Sequence, residues 1–192
     1  MARCGESPAS LDLHYASHDR LRFLSRQNIQ ERGLRTCLYT VLGAVRCPGY
    51  GAAKGADRLG RNVTLELYAS TSAEDTDFVA KLVDVYPDGR AYNIAEGIIR
   101  ASYRNGLERP EPVPPDGIVK YEISLGPTAV VFQQGHSIRL DITSSLFPTY
   151  DRNPNRLMNP GEVTEADFVT ATQTIHHDGR RPSRIWLPIL RE

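Results

Sequence analysis

His136, Asp141, Ser144, Ser145 and Asp151 are the residue types from which an acyl-transfer triad is built, and they lie close together in this chain. A nucleophilic serine also needs a strained strand-to-helix elbow, usually written Gly-x-Ser-x-Gly, and that pentapeptide occurs nowhere in the sequence. Alternation through this stretch puts Asp141 and Ser145 on a solvent-facing rail, so we expect surface and turn residues rather than a triad. His176, His177 and Asp178 invite a metal reading, but adjacent histidines on a strand point to opposite faces. A turn before Gly179 is the expected role. Glu74, Asp75 and Asp77 could offer oxygen ligands to calcium. Carboxylates in a turn also cap backbone N–H groups, which is what we expect here. We therefore expect no catalytic residue, no metal ligand and no cofactor.

The elements that would position these side chains are strands. From Val63 to Leu190, short runs of alternating apolar and polar residues are separated by Pro, Gly, Asp and Asn clusters. Val63, Leu65, Leu67 and Ala69 share one face, with Thr64, Glu66 and Tyr68 on the other. Asp77–Val85 and Ala91–Tyr103 read as a hairpin through Tyr86-Pro87-Asp88-Gly89, where Asp-Gly supplies positive φ. Gly97 marks a bulge or a close backbone approach. ERPEPVPPDG carries four prolines and must be an exposed crossover loop. Strands follow at Ile118–Leu125, Ala129–Phe132, Ser137–Thr143 (Ile138, Leu140 and Ile142 inward), Phe168–His177 and Ser183–Leu190. Many short strands with long cross-connections predict an all-β jelly-roll sandwich.

Residues 1–61 read differently, as an irregular extension ending in a Gly-rich linker, CPGYGAAKGADRLG. Leu21, Leu24 and Asn28 could share a helix face that Gly33 would end, and a short strand fits Thr36–Val41. The chain is neutral overall, with 23 Lys and Arg against 23 Asp and Glu, and lacks a basic stripe, so nucleic acid is not an expected partner. Cys4, Cys37 and Cys47 are odd in number and contain no Cys-x-x-Cys, which argues against a disulfide framework or zinc site. No apolar run reaches about 18 residues, and MARCGESPAS lacks the apolar core of a signal peptide. We expect a cytoplasmic chain without a membrane span.

SAEDTDFVAKLVDVYPDGRAYNIAEGIIRASYR, then HSIRLDITSSLFPTYDRNPN, then QTIHHDGRRPSRIWLPIL together resemble the C-terminal β-domain of X-Pro dipeptidyl-peptidases. Cocaine esterase-like hydrolases, α-amino acid ester hydrolases and cephalosporin acylases share that domain. The resemblance covers residues 62–192 and implies a galactose-binding-like jelly roll packed on an α/β-hydrolase domain. In that family a Ser-His-Asp triad in the hydrolase domain cleaves esters or X-Pro peptides, and this chain is expected to be inactive without it. The abrupt change at Gly60–Val63 leads us to expect a fragment whose usual upstream sequence was replaced by a frameshift, truncated gene or rearranged start; the alternative is ordinary divergence of a standalone protein.

The same resemblance places Phe147, Pro148, Tyr150, Asp151, Arg152, Asn153 and Asn155 near the hydrolase domain, as a docking loop. Its prolines and asparagines make it stiff and self-bonded; the simpler alternative is a self-stabilised loop with an Asp151–Arg152 surface pair. Leu146 and Thr149 stand where the family commonly has Asn and Arg. The expected partner is an α/β-hydrolase domain or subunit, and self-association through the uncovered interface is also expected. The alternative reading is a carbohydrate- or ligand-binding module using Tyr68, Tyr92, Tyr103 and Trp186.

Overall fold

A computed structural model describes residues 9–12, 22–24, 57–59, 62–133 and 135–190. Its strands are β1 (Ala9–Asp12), β2 (Arg22–Leu24), β3 (Asp57–Leu59), β4 (Asn62–Thr71), β5 (Asp77–Val85) and β6 (Ala91–Arg100). They continue as β7 (Val119–Pro127), β8 (Val130–Phe132), β9 (Ser137–Thr143), β10 (Thr172–His176), β11 (Arg184–Leu187) and β12 (Ile189–Leu190). One sheet runs β1-β11-β4-β10-β2, with β7 also paired to β4. A second sheet runs β6-β5-β9, and a small third one β12-β3-β8. The molecule is an all-β sandwich. No helix among the described residues is long and apolar enough to cross a membrane.

The alternation in the sequence becomes the core directly. Val63, Leu65 and Leu67 of β4 meet Tyr121, Ile123 and Leu125 of β7. The opposing sheet supplies Phe78, Ala80 and Leu82 from β5 and Leu140 and Ile142 from β9. Each fully buried aliphatic or Phe side chain of this kind contributes about 1.5–3 kcal/mol relative to exposure. Gly97, opposite Ala80, sits where β6 crosses β7, and a Cβ there would overlap the Ser124 carbonyl oxygen. It is the close approach, whereas the bulge falls at Ile94, which the register skips between Leu82↔Ala95 and Val83↔Asn93. In the hairpin only Gly89 takes positive φ, at 88°, while Asp88 Oδ1 accepts the Arg90 N–H.

Several expectations are corrected. β6 ends at Arg100, because the Ala101 N–H turns to the Thr76 carbonyl and Ala101–Tyr103 forms a 3₁₀ turn. The proline loop is not wholly exposed: Val113 is 1 % exposed, and its N–H donates to the Glu74 carbonyl. The strand expected from Phe168 begins at Thr172, since Glu165–Asp167 is a 3₁₀ turn closed by a Thr164–Asp167 capping box. Arg22–Leu24 is a strand paired with β10 rather than part of a helix. The strand anticipated at Thr36–Val41 lies outside the described residues.

Tyr121 is the core residue with an anomaly. Its ring packs on Phe78, but its hydroxyl is buried without a hydrogen-bond partner among the described residues. Burial pushes its pKa up from 10.0 to about 12. A folded-state pKa above the unfolded one means this group's contribution is full below pH 10.0 and is lost as the pH rises to about 12. Tyr121→Phe removes an orphaned hydroxyl and should leave stability unchanged or raise it by about 1 kcal/mol. Urea midpoints at pH 8 and pH 11 check both points: the alkaline decline should shrink in the variant.

Candidate domain-docking site

The turn that joins β4 to β5 was expected to cap backbone N–H groups, and it does more. Asp75 and Asp77 are 4 % and 1 % exposed. Asp75 Oδ1 accepts the Ser102 N–H at 2.8 Å, and its Oδ2 accepts Asn153 Nδ2 at 3.0 Å. Asp77 Oδ1 accepts from Asn153 Nδ2 at 2.8 Å and from Arg100 Nε at 2.9 Å. Two carboxylates in a dry site would repel; the Asn153 amide, donating to both, and the Arg100 guanidinium make the arrangement tenable. Glu74 is exposed and its Oε2 accepts the Leu157 N–H. Buried carboxylate oxygens that face N–H donors in this way form a structural hub.

Burial is the largest influence on Asp77, pushing its carboxyl above the usual 3.8 against the pull of Arg100 and Asn153. The sign follows: the folded chain holds this proton more tightly than the unfolded one. Asp77 therefore contributes most below pH 3.8, and that contribution is lost as the pH rises through the raised folded value. Unfolding free energies of an Asp77→Asn variant, measured from pH 3 to 7, should lack this component of the pH dependence.

Through Asn153 the hub holds the Phe147–Asn155 loop. Asn153 is 8 % exposed, and its Oδ1 accepts the Asn155 N–H at 2.8 Å. Asn155 takes a φ of 62°, tolerable for asparagine, and its Nδ2 donates to the Val169 carbonyl at 2.8 Å. The Val169 N–H donates back to the Pro154 carbonyl. Near the loop's start Pro148 follows a cis peptide bond, and the Tyr150 N–H donates to the Leu146 carbonyl. The result is inside-out. Asn153 and Pro154 are buried, while Phe147 and Tyr150 are 50 % and 49 % exposed.

Arg152 departs from expectation. No Asp151–Arg152 ion pair forms among the described residues; the guanidinium lies 5.8 Å from the Phe147 ring centroid and 4.8 Å from that of Phe168. Asp151 is exposed. Leu146, 6 % exposed, is a core-facing side chain at the loop's base.

The other candidates disperse. Asp141 and Ser145 are 9 % and 8 % exposed rather than on a solvent rail: Asp141 pairs with Arg139, and Ser145 Oγ accepts the Phe147 N–H. His136 is tied by Nδ1 to Asp84 on β5 at 2.9 Å and lies under the Tyr86 ring, away from Ser144 and Ser145 in the hydrogen-bond pattern. His176 Nε2 is 3.2 Å from Ser70 Oγ, whereas Asp178 Oδ1 accepts the N–H groups of Arg180 and Arg181 in a turn. Tyr92, edge-on to Tyr86, is on the β5–β6 hairpin, while Trp186 pairs opposite Thr64 in the other sheet.

A family profile described as the X-Pro dipeptidyl-peptidase C-terminal non-catalytic domain matches residues 62–186. The chain belongs to this family. Cocaine esterase of Rhodococcus sp. (strain MB1 Bresler) is 42 % identical over 129 residues, which cover 67 % of this chain and 22 % of the esterase. A solved α-amino acid ester hydrolase superposes with a TM-score of 0.67 at 32 % identity, over 70 % of this chain and 24 % of the hydrolase. An aminopeptidase from a marine sediment Thaumarchaeota archaeon gives a TM-score of 0.68 at 31 % identity, over 71 % of this chain and 24 % of its own. This non-catalytic domain thus spans under a quarter of each relative, 22 % and 24 %. The hub that orders its loop was not legible in the sequence. Asp75 and Asp77 are neighbours, but Arg100 and Asn153 lie 23 and 76 positions from Asp77, and the packing of β5, β6 and the loop unites them.

Proposed function

We propose that this chain acts as the C-terminal accessory domain of an α/β-hydrolase-type serine hydrolase, of the ester-cleaving or X-Pro dipeptidyl-peptidase kind. The catalytic serine belongs to the hydrolase domain. The jelly-roll domain docks on it through the Phe147–Asn155 loop and shapes the rim of the active site or holds subunit contacts. The observation that carries this reading is the inside-out loop: apolar Phe147 and Tyr150 face water while polar Asn153 is buried against two carboxylates. A loop so ordered, with its aromatic side chains outward, presents an interface anchor. The family supports the same role, since its domain is described as non-catalytic.

Two measurements test the proposal. The chain alone should take no label from a serine-directed fluorophosphonate and should not hydrolyse p-nitrophenyl esters. It should bind a hydrolase lacking its own C-terminal domain, and Phe147→Ala with Tyr150→Ala should weaken that binding about tenfold or more, as truncated aromatic anchors do. Labelling of the folded chain, or binding indifferent to both aromatic residues, would overturn it.

A further inference from the structure

Arg152 is a part of the loop whose chemistry the hub leaves unused. Its guanidinium carries five N–H donors in a planar fork. Its Cζ lies 5.8 Å from the Phe147 ring centroid and 4.8 Å from that of Phe168, and no described residue accepts a hydrogen bond from it or pairs with its charge. Arg100 and Arg104 differ: Arg100 is engaged by Asp77, and Arg104 by the carbonyls of Ala101, Glu111 and Pro112. Asp151, adjacent in sequence, forms no ion pair with Arg152. A guanidinium in cation–π contact with two rings keeps its charge and all its N–H donors for a further partner.

We infer that Arg152 is the charged anchor of the docking face and receives a carboxylate, an Asp or Glu side chain of the α/β-hydrolase domain, in a two-pronged hydrogen bond. This rests on the docking reading above and adds the partner's chemistry: an apolar patch for Phe147 and Tyr150 with an acidic group set within it. Three features of the structure favour that occupant. The cation has no counter-charge among the described residues, half-exposed Phe147 lies beside it, and relatives of this domain carry more than three-quarters of their length outside it. The hydrogen bonds of a guanidinium at a surface that closes against protein gain strength as water leaves.

The experiment measures, by titration calorimetry, binding of the full 192-residue chain to Rhodococcus cocaine esterase expressed without its matching segment, its fold checked by circular dichroism. Arg152→Met keeps an unbranched side chain and removes the charge, and should weaken binding about tenfold or more. It should also flatten the fall of affinity between 50 and 300 mM salt (about a Debye-screening test). Arg152→Lys should keep the salt dependence but recover only part of the affinity, because a point charge lacks the fork. Unchanged affinity in Arg152→Met, together with weakening in Phe147→Ala, would overturn the anchor and leave docking intact. Failure of the unaltered chain to bind would overturn docking and the anchor together. Should the shortened esterase not fold, the chain replaces its segment in a fusion, and the melting temperature of the hydrolase portion is read instead, with the same variants and the same outcomes.

Discussion

Asn153→Asp should lower the unfolding free energy by about 3–5 kcal/mol at pH 7, the range for an uncompensated charge in a buried ionic site. The present amide donates to Asp75 Oδ2 at 3.0 Å and to Asp77 Oδ1 at 2.8 Å. The variant turns that donor into a third carboxylate facing two others, with the Arg100 guanidinium, among the described residues, to balance them. Asn153→Ala removes the donor without adding charge, and the smaller loss of about 1–3 kcal/mol reflects acceptors left unsatisfied. Urea unfolding followed by the fluorescence of Trp186, the single tryptophan, measures both. Lowering the pH should narrow the gap between Asn153→Asp and the unaltered chain, because a protonated carboxyl can donate again. A loss under 1 kcal/mol in the Asp variant would mean the hub does not hold the loop.

Gly97→Val should be comparably severe by a different route. A Cβ at this position would overlap the Ser124 carbonyl oxygen, lie 2.8 Å from the Ser124 carbonyl carbon and 3.1 Å from Leu125 Cα. All three are backbone atoms of β7, so no side-chain rotation relieves the clash. The two sheets must part, or β6 must shift against β5. Overpacking of this kind costs about 1–3 kcal/mol for a single methyl, so Gly97→Ala should fall in that range and Val beyond it. Gly179→Ala is the control, since a Cβ there meets no atom within 4 Å. Circular dichroism melts of the three variants, with solubility as a second readout, decide the matter; a neutral Gly97→Ala would show that the β6–β7 crossing has slack.

The two effects differ in how visible they were beforehand. Gly97 interrupts the apolar alternation of a strand, and a glycine in such a place signals close backbone approach before any coordinates exist. Asn153 gives no comparable signal. In a Pro- and Asn-rich loop an asparagine ordinarily bonds its own backbone, as Asn153 Oδ1 does with the Asn155 N–H. Its second role, bridging two carboxylates from the distant turn before β5, depends on where that loop lands. Arg152 shows the same limit in reverse. Its neighbour Asp151 suggested a local pair, but the backbone turns the guanidinium toward Phe147 and Phe168 instead.

By itself the sequence determined the all-β class, the β5–β6 hairpin at Asp77–Val85 and Gly89, and the inward rows of β4 and β7. These follow from period-two alternation and from turn residues with particular φ preferences, both local properties of the chain. The ordered motifs also carried the family. Tertiary structure alone decided that Asp75, Asp77, Arg100 and Asn153 meet, that Asp141 and Ser145 are buried, and that Phe147 and Tyr150 face outward. Those facts depend on which distant segments share one end of the sandwich. Burial and charge pairing are set by such non-local contacts, and no window of sequence contains them.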